Sequence, residues 1–142
     1  MGLTFEGTLL DQIIQRVEPH AEETCGFLLG NEAGEERTVT SFIPARNAAP
    51  SERERQFLID ARDYLQAEAS ATQQGLALIG IYHSHPDHPA LPSKRDLAAA
   101  QPFFSYVIVS LMKRRFNAVR SWRLTPANQF EEELIYSRKT TD

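Results

Sequence analysis

His83 and His85 stand one residue apart at the end of an apolar run, Leu76 to Tyr82, that has the length and composition of a strand. Successive side chains of a strand point to opposite faces, so the two imidazoles share one side while Ser84 faces away. Two imidazoles side by side are half of a metal site. Pro86, Pro89 and Pro92 then stiffen the connection by fixing φ and removing backbone donors. Regular structure resumes at Ser93-Lys94-Arg95-Asp96, a helix-start signal followed by Leu-Ala-Ala-Ala, which puts a carboxylate in the first turn of a helix. The unit His-x-His-x10-Asp supplies two imidazoles and one carboxylate, three protein ligands for Zn²⁺, and leaves the fourth tetrahedral position to water. That open position is what separates catalytic from structural zinc.

Each of these residues also has a purely structural use. Histidines on a half-buried strand fill space and hydrogen-bond, and Ser-x-x-Asp is a capping pattern in its own right. The two uses of Asp96 are compatible, because a carboxylate near the positive end of a helix can still present an oxygen outward. Hydrolysis further needs a base that takes a proton from water and passes it to a leaving amine. Glu22 and Glu23, just ahead of a buried strand, are the candidates, although solvated loop charges have the same local sequence. His83-Ser84-His85-Pro86-Asp87-His88 also satisfies His-x-His-x-Asp-His, the metal signature of metallo-β-lactamase-like hydrolases. Such sites need further histidines well downstream, and none follows His88; the remaining histidine is His20. Asp87 and His88 are therefore expected to be loop residues.

The elements that must position these groups fit one domain, residues 1–142, large enough to bury about two-thirds of its unfolded surface. Hydrophobic content of 42% with 24% charged residues is ordinary for a globular chain, and the formal charge of -4 gives no basic face for nucleic acid. The cluster Lys113-Arg114-Arg115 reads as a solvated turn. The N-terminus lacks the basic start and long apolar region of a secretory signal, and the longest apolar runs are too short to cross a bilayer, so a cytoplasmic protein without a membrane partner is expected. A single cysteine, Cys25, excludes an intramolecular disulfide and a multi-thiolate zinc knot, so any metal rests on His and carboxylate.

Along the chain, Leu3 to Phe5 reads as a short strand, and Leu9, Leu10, Ile13, Ile14 and Val17 give a helix over 8–18. Thr24 to Gly30 is a buried strand, joined by an acidic turn, Asn31 to Glu36, to a second strand at Arg37 to Pro44. Residues 45–56 lack an apolar period and read as a polar, mobile connection, the candidate for a flap. Phe57-Leu58-Ile59 reads as a brief strand, and Asp60 with Asp63 caps a helix running to Gly75. After the helix that starts at Ser93 come strands at Ser105 to Leu111, Ala118 to Leu124 and Gln129 to Tyr136. Helices interrupting a mostly antiparallel series point to a mixed α/β or α+β sandwich.

Taken together, the residues resemble the JAMM (MPN-type) zinc metallopeptidase family, whose pattern is Glu, a long gap, then His-Ser/Thr-His-Pro-x6-Ser-x-x-Asp. The match is Glu23-Thr-Cys-Gly, His83-Ser84-His85-Pro86, Ser93 and Asp96, with no departure at a functional position. It extends over nearly the whole chain, including Glu-Thr-Cys-Gly-Phe-Leu-Leu-Gly and the Asn47 to Asp60 segment; Ala61 stands where many relatives carry proline. The resemblance implies a JAMM/cytidine-deaminase-like fold, a mixed central sheet flanked by helices. It implies one Zn²⁺ bound by His83, His85 and Asp96, with Glu23 as the base and Ser93 stabilising the oxyanion. Glu22 is the weaker choice for the base, and Cys25 is expected to be packing rather than a ligand. The chain's size is similar to the compact prokaryotic members, which implies a peptidase or isopeptidase acting on the Gly-Gly tail of a ubiquitin-like or sulfur-carrier protein. The alternative is a non-catalytic MPN scaffold, and the resemblance leaves self-association into a homo-oligomer open.

Overall fold

The computed structural model describes residues 1–138; residues 139–142, the end of the expected domain, lie outside the described residues. Among the described residues seven strands and three helices follow in the order β1 (Gly2–Glu6), α1 (Leu9–Val17), β2 (Cys25–Ala33), β3 (Glu36–Ala45), α2 (Ala61–Gln73), β4 (Ala77–Pro86), α3 (Lys94–Ala99), β5 (Ser105–Met112), β6 (Arg115–Leu124) and β7 (Phe130–Arg138). The mixed α/β class is the expected one. The sandwich is not: the strands form a single sheet, β1-β3-β2-β4-β5-β6-β7, that closes on itself. Closure is the work of β1, which pairs parallel with β3 on one side and parallel with β7 on the other. A strand of five residues gives too little pattern for such long-range parallel pairing to be read from sequence.

Two further expectations are corrected. Phe57-Leu58-Ile59 is not a strand, because its backbone is satisfied by the neighbouring loop: Leu58 N–H donates to Asn47 Oδ1 and its carbonyl accepts from Ala48 N–H. The strand expected at Ala118 begins instead at Arg115, because Lys113 and Arg114, with φ of 53° and 62°, make a two-residue hairpin turn directly after β5.

β2, β4 and β5 are buried on both faces, which is why they read as continuous apolar runs rather than alternating ones. Leu28, Tyr82, Val107 and Val109 join Ile13 and Val17 of α1 in one core cluster. Cys25, Phe27, Ile81 and Tyr106 join Ala67 and Ala71 of α2 in the other, where the small helical residues let the helix approach closely. Gly26 is required here, since a Cβ at this position would run into the Tyr82 ring. Alternation along β4 puts His83 and His85 on the same face as Ile81, toward α2.

A buried charge cluster spans the closure. Arg123 of β6 donates from Nε to Glu133 Oε1 of β7 at 2.8 Å, and its Nη2 reaches the carbonyls of Gly2 and Glu35. Glu133 Oε2 accepts from Ser121 Oγ at 2.7 Å. The Glu133 carboxylate is fully buried, so removing it strands a cation rather than deleting a surface pair. Glu133→Ala is expected to cost about 3–5 kcal/mol of stability by urea unfolding. A loss below about 1 kcal/mol, the range of an exposed pair, would show that this cluster does not hold the sheet closed.

Candidate metal centre

β2 and β4 run antiparallel with Cys25 opposite His83. Just ahead of that pair, Thr24 N–H donates to Ser84 Oγ and Ser84 N–H donates to Thr24 O, both at 2.9 Å. Ser84 thus faces away from the imidazoles, as alternation requires, and serves to lock the strands. The lock brings Glu23 beside His83: Glu23 Oε1 lies 3.5 Å from His83 Nδ1, and its side chain is 4% exposed. Glu22, one residue earlier, is exposed.

The Pro-rich loop carries the chain from His85 to α3 and is pinned along its length. Asp87 N–H donates to Leu111 O, Lys113 N–H donates to Asp87 Oδ1, Ser110 Oγ donates to His88 O, and Trp122 Nε1 donates to Ala90 O. Asp87 and His88 are loop residues, and the Asp87 carboxylate is spent on the β5–β6 turn. Ser93 is the N-cap of α3 in a capping box: Asp96 N–H donates to Ser93 Oγ at 3.0 Å and Ser93 N–H donates to Asp96 Oδ2 at 2.8 Å. The same carboxylate turns back to both histidines, with Oδ2 3.2 Å from His85 Nε2 and Oδ1 3.7 Å from His83 Nε2.

His85 has only one usable tautomer. Its Nδ1 is 2.9 Å from the Pro89 carbonyl, which can only accept, so Nδ1 carries a proton and Nε2 is the nitrogen turned toward Asp96, able to donate to it when protonated and to offer a lone pair when neutral. His83 is 1% exposed and neither of its ring nitrogens has a hydrogen-bond partner, nor does Glu23 Oε1. Buried polar atoms without partners cost about 1–3 kcal/mol each. A cation fits this donor set: ligand atoms on a zinc tetrahedron with bonds of about 2.0–2.1 Å lie roughly 3.4 Å apart, between the two imidazole–Asp96 distances. Glu23, His83 and His85 also offer ligand atoms within 4.8 Å of one another, so both carboxylates converge on the imidazole pair.

Several site residues were not evident from their spacing. Phe57 stacks on His83, ring centroids 4.4 Å apart. Asn47 organises the 45–56 segment that was expected to be mobile. Its Oδ1 accepts from Ala49 and Leu58 N–H, and its Nδ2 donates to the carbonyls of Glu23 and Gln56. Glu23 N–H in turn donates to Arg53 O at 2.7 Å. The first of these bonds is a local Asx turn, the one part of the arrangement with a sequence signal. Cys25 is fully buried with Sγ against Ala45 O, and burial, with the Glu23 and Asp63 charges, pushes its thiol up to about 12; it is packing.

Residues 7–125 match the prokaryotic homologues of the JAB domain. The chain belongs to the JAMM family, in its prokaryotic JAB branch. It is 31% identical over 127 residues to a desampylase of Pyrococcus furiosus, covering 89% of this chain and 84% of that protein. It is 33% identical over 117 residues to a CysO-cysteine peptidase of Mycobacterium tuberculosis, covering 81% and 77%. A probable TtuB-protein conjugate cleaving protease of Thermus thermophilus is 43% identical over 72 residues, about half of each protein. The same fold occurs in a solution structure from Desulfitobacterium hafniense, with TM-score 0.85 and 28% identity over 97% of this chain and 94% of that one. JAMM members are metal-dependent, and this one is a hydrolase of the metallopeptidase class.

Burial and charge act in opposite senses on His85 and Asp96. Burial would lower the His85 imidazole, but the Asp96 hydrogen bond, the Pro89 carbonyl and the Asp96 and Glu23 charges together raise it above its ordinary value. Burial would raise Asp96, yet His83, His85 and the Ser93 N–H hold it down at about 2. The His85 contribution to stability is complete below its unfolded value of about 6.5 and is lost as pH rises through the raised folded value. The Asp96 contribution is present above about 3.9 and is lost only as pH falls toward about 2. Chelator-treated protein is therefore expected to lose thermal stability as pH rises from about 6.5 through the raised His85 value, and His85→Gln to lack that loss. Parallel profiles for the two proteins over this window would contradict the charged His85–Asp96 pair.

Proposed function

We propose that this chain is a zinc-dependent peptidase, one JAMM domain over residues 1–142 working in the cytoplasm, that hydrolyses a peptide or isopeptide bond at the C-terminal Gly-Gly tail of a ubiquitin-like or sulfur-carrier protein. The observation that carries the reading is the convergence of two buried imidazoles and two carboxylates, three of their polar atoms lacking any hydrogen-bond partner. Relatives named for a protein conjugate and for CysO-cysteine support the substrate class.

His83, His85 and Asp96 are proposed to hold one Zn²⁺. His85 must use Nε2, because Nδ1 is engaged by Pro89, and that nitrogen faces Asp96, whose other oxygen approaches His83 Nε2. Zinc held this way supplies Lewis acidity toward the scissile carbonyl and lowers the pKa of the attacking water. Glu23 is left as the base. It takes the proton of the attacking water and delivers it to the departing amine, so the C–N bond breaks without expelling an amide anion. Ser93 stabilises the developing oxyanion. Its Oγ already accepts from Asp96 N–H, which leaves its hydroxyl hydrogen free to donate to the substrate oxygen.

Purified protein is expected to carry about one zinc per chain and to trim tailed carriers, with the released group identified by mass spectrometry. Glu23→Ala should retain zinc and lose about 10²–10⁴-fold in turnover, whereas Asp96→Ala should lose the metal. Parent-rate hydrolysis by Glu23→Ala would remove Glu23 from the base role. Protein that takes up no metal and gains no peptidase activity when metal is supplied would favour the non-catalytic scaffold.

A further inference from the structure

We propose that Arg55 is a specificity residue that receives a free carboxylate on the leaving group, so that the preferred leaving group is a single amino acid joined through its α-amine. The inference rests on the peptidase reading above and adds what leaves. Two pockets flank the histidines. One, of about 470 Å³, is walled by Phe57, Tyr64, Tyr106, His83 and Asp96. The other, of about 530 Å³, holds Glu23, His85 and Ser93 together with Arg55, His88 and Leu91. The departing amine takes its proton from Glu23, so the leaving group lies in the pocket that contains Glu23. Arg55 is in the wall of that pocket.

The Arg55 guanidinium is exposed and makes no hydrogen bond or ion pair among the described residues. Its neighbours in the fold are engaged: Arg53 Nε donates to Ala49 O at 2.8 Å, and Arg95 pairs with Glu52 at 3.2 Å. Nor is Arg55 on a loose tip. Residues 52–56 form a turn in which Arg55 and Gln56 N–H groups both return to Glu52 O. That turn is bonded to both backbone groups of Glu23, directly through Arg53 O and through Asn47, which bridges Glu23 O and Gln56 O. The backbone that carries the unpaired cation is therefore tied to the backbone of the group that protonates the amine.

The chemistry selects the ligand. In an α-linked amino acid the carboxylate sits on the carbon attached to the scissile nitrogen, within the same pocket. A lysine joined through Nε presents only methylenes there. Glu23 is the one carboxylate lining this pocket, and it repels an incoming carboxylate unless a cation faces it. The planar fork of arginine matches a carboxylate bidentately, and Leu91 and Pro89 offer an apolar wall to a side chain.

The test uses zinc-supplied Glu23→Ala protein, expected to be slowed enough for binding to be read before turnover, and a tail peptide ending Gly-Gly-Ala as the free acid and as the C-terminal carboxamide. The acid is expected to bind about tenfold more tightly, the lower end for a hydrogen bond to a charged group. Arg55→Gln added to this background should bring that ratio to near one, and Arg55→Lys should keep part of it. Equal binding of the two peptides, no measurable binding of either, or a preference that survives Arg55→Gln overturns the proposal. Hydrolysis by the parent protein is measured in parallel. If neither peptide is cut while the binding preference follows Arg55, the peptidase reading fails and the carboxylate site stands. If both are cut at equal kcat/KM and bind equally, the carboxylate site fails and the peptidase reading stands.

Discussion

The pairing of Cys25 with His83 across β2 and β4 is the constraint on which the centre depends. Side chains alternate along a strand, so a slip of one residue would turn both imidazoles toward α1 and leave Glu23 beside the wrong face. Three features exclude the slip. Thr24 and Ser84 exchange two hydrogen bonds, Tyr82 lies over Gly26, where a Cβ would collide with its ring, and both faces of the two strands are packed. Parallel pairing of β4 with β5 extends the same register, setting Ser110 opposite His85, where its hydroxyl holds the His88 carbonyl and starts the loop on its return.

Asp96 reaches the histidines by a different route. α3 has six residues, far below the length at which a helix is stable by itself, so its place is set by its cap and by the loop that delivers it. The three prolines reduce the number of conformations the loop can adopt, and its hydrogen bonds to β5, β6 and the turn between them choose one. Capping and the approach to the imidazoles then draw on the same oxygen: Oδ2 accepts from Ser93 N–H and faces His85 Nε2. The structural reading of Ser93 and Asp96 and the chemical one are a single arrangement.

What the sequence disclosed follows the range of the interactions. Apolar runs, the Ser93-x-x-Asp96 cap and the His-x-His alternation are local, and α1, α2, β2, β4 and the start of α3 fall within a few residues of where periodicity puts them. Closure of the sheet by β1, the buried Glu133 and the anchoring of residues 45–56 by Asn47 are settled between segments far apart in the chain. Glu131, Glu132 and Glu133 are identical in sequence terms, and only the partner across β6 decides that the third is buried against Arg123 and Ser121 while Glu132 pairs with Arg120 at the surface. Likewise Glu22 and Glu23 differ only in which of them precedes the Thr24–Ser84 lock by one residue. The family pattern separates them on paper; burial and the 3.5 Å approach to His83 separate them in space.

The 45–56 segment bears on whether the site is assembled before a ligand arrives. Its one ion pair to α3, Glu52 with Arg95, joins two half-exposed side chains and contributes at most about 1 kcal/mol. Asn47 makes four hydrogen bonds to the chain around it, two of them to carbonyls on either side of the site, and these do not depend on salt or on a partner. The loop is therefore held from within, and Glu23 with it. Three of the six buried side-chain polar atoms that lack partners among the described residues belong to Glu23 and His83. The register of β2 and β4 and the Asn47 loop hold the backbone around these atoms through hydrogen bonds in which the atoms themselves take no part, so Glu23 and His83 are positioned independently of their own polar contacts.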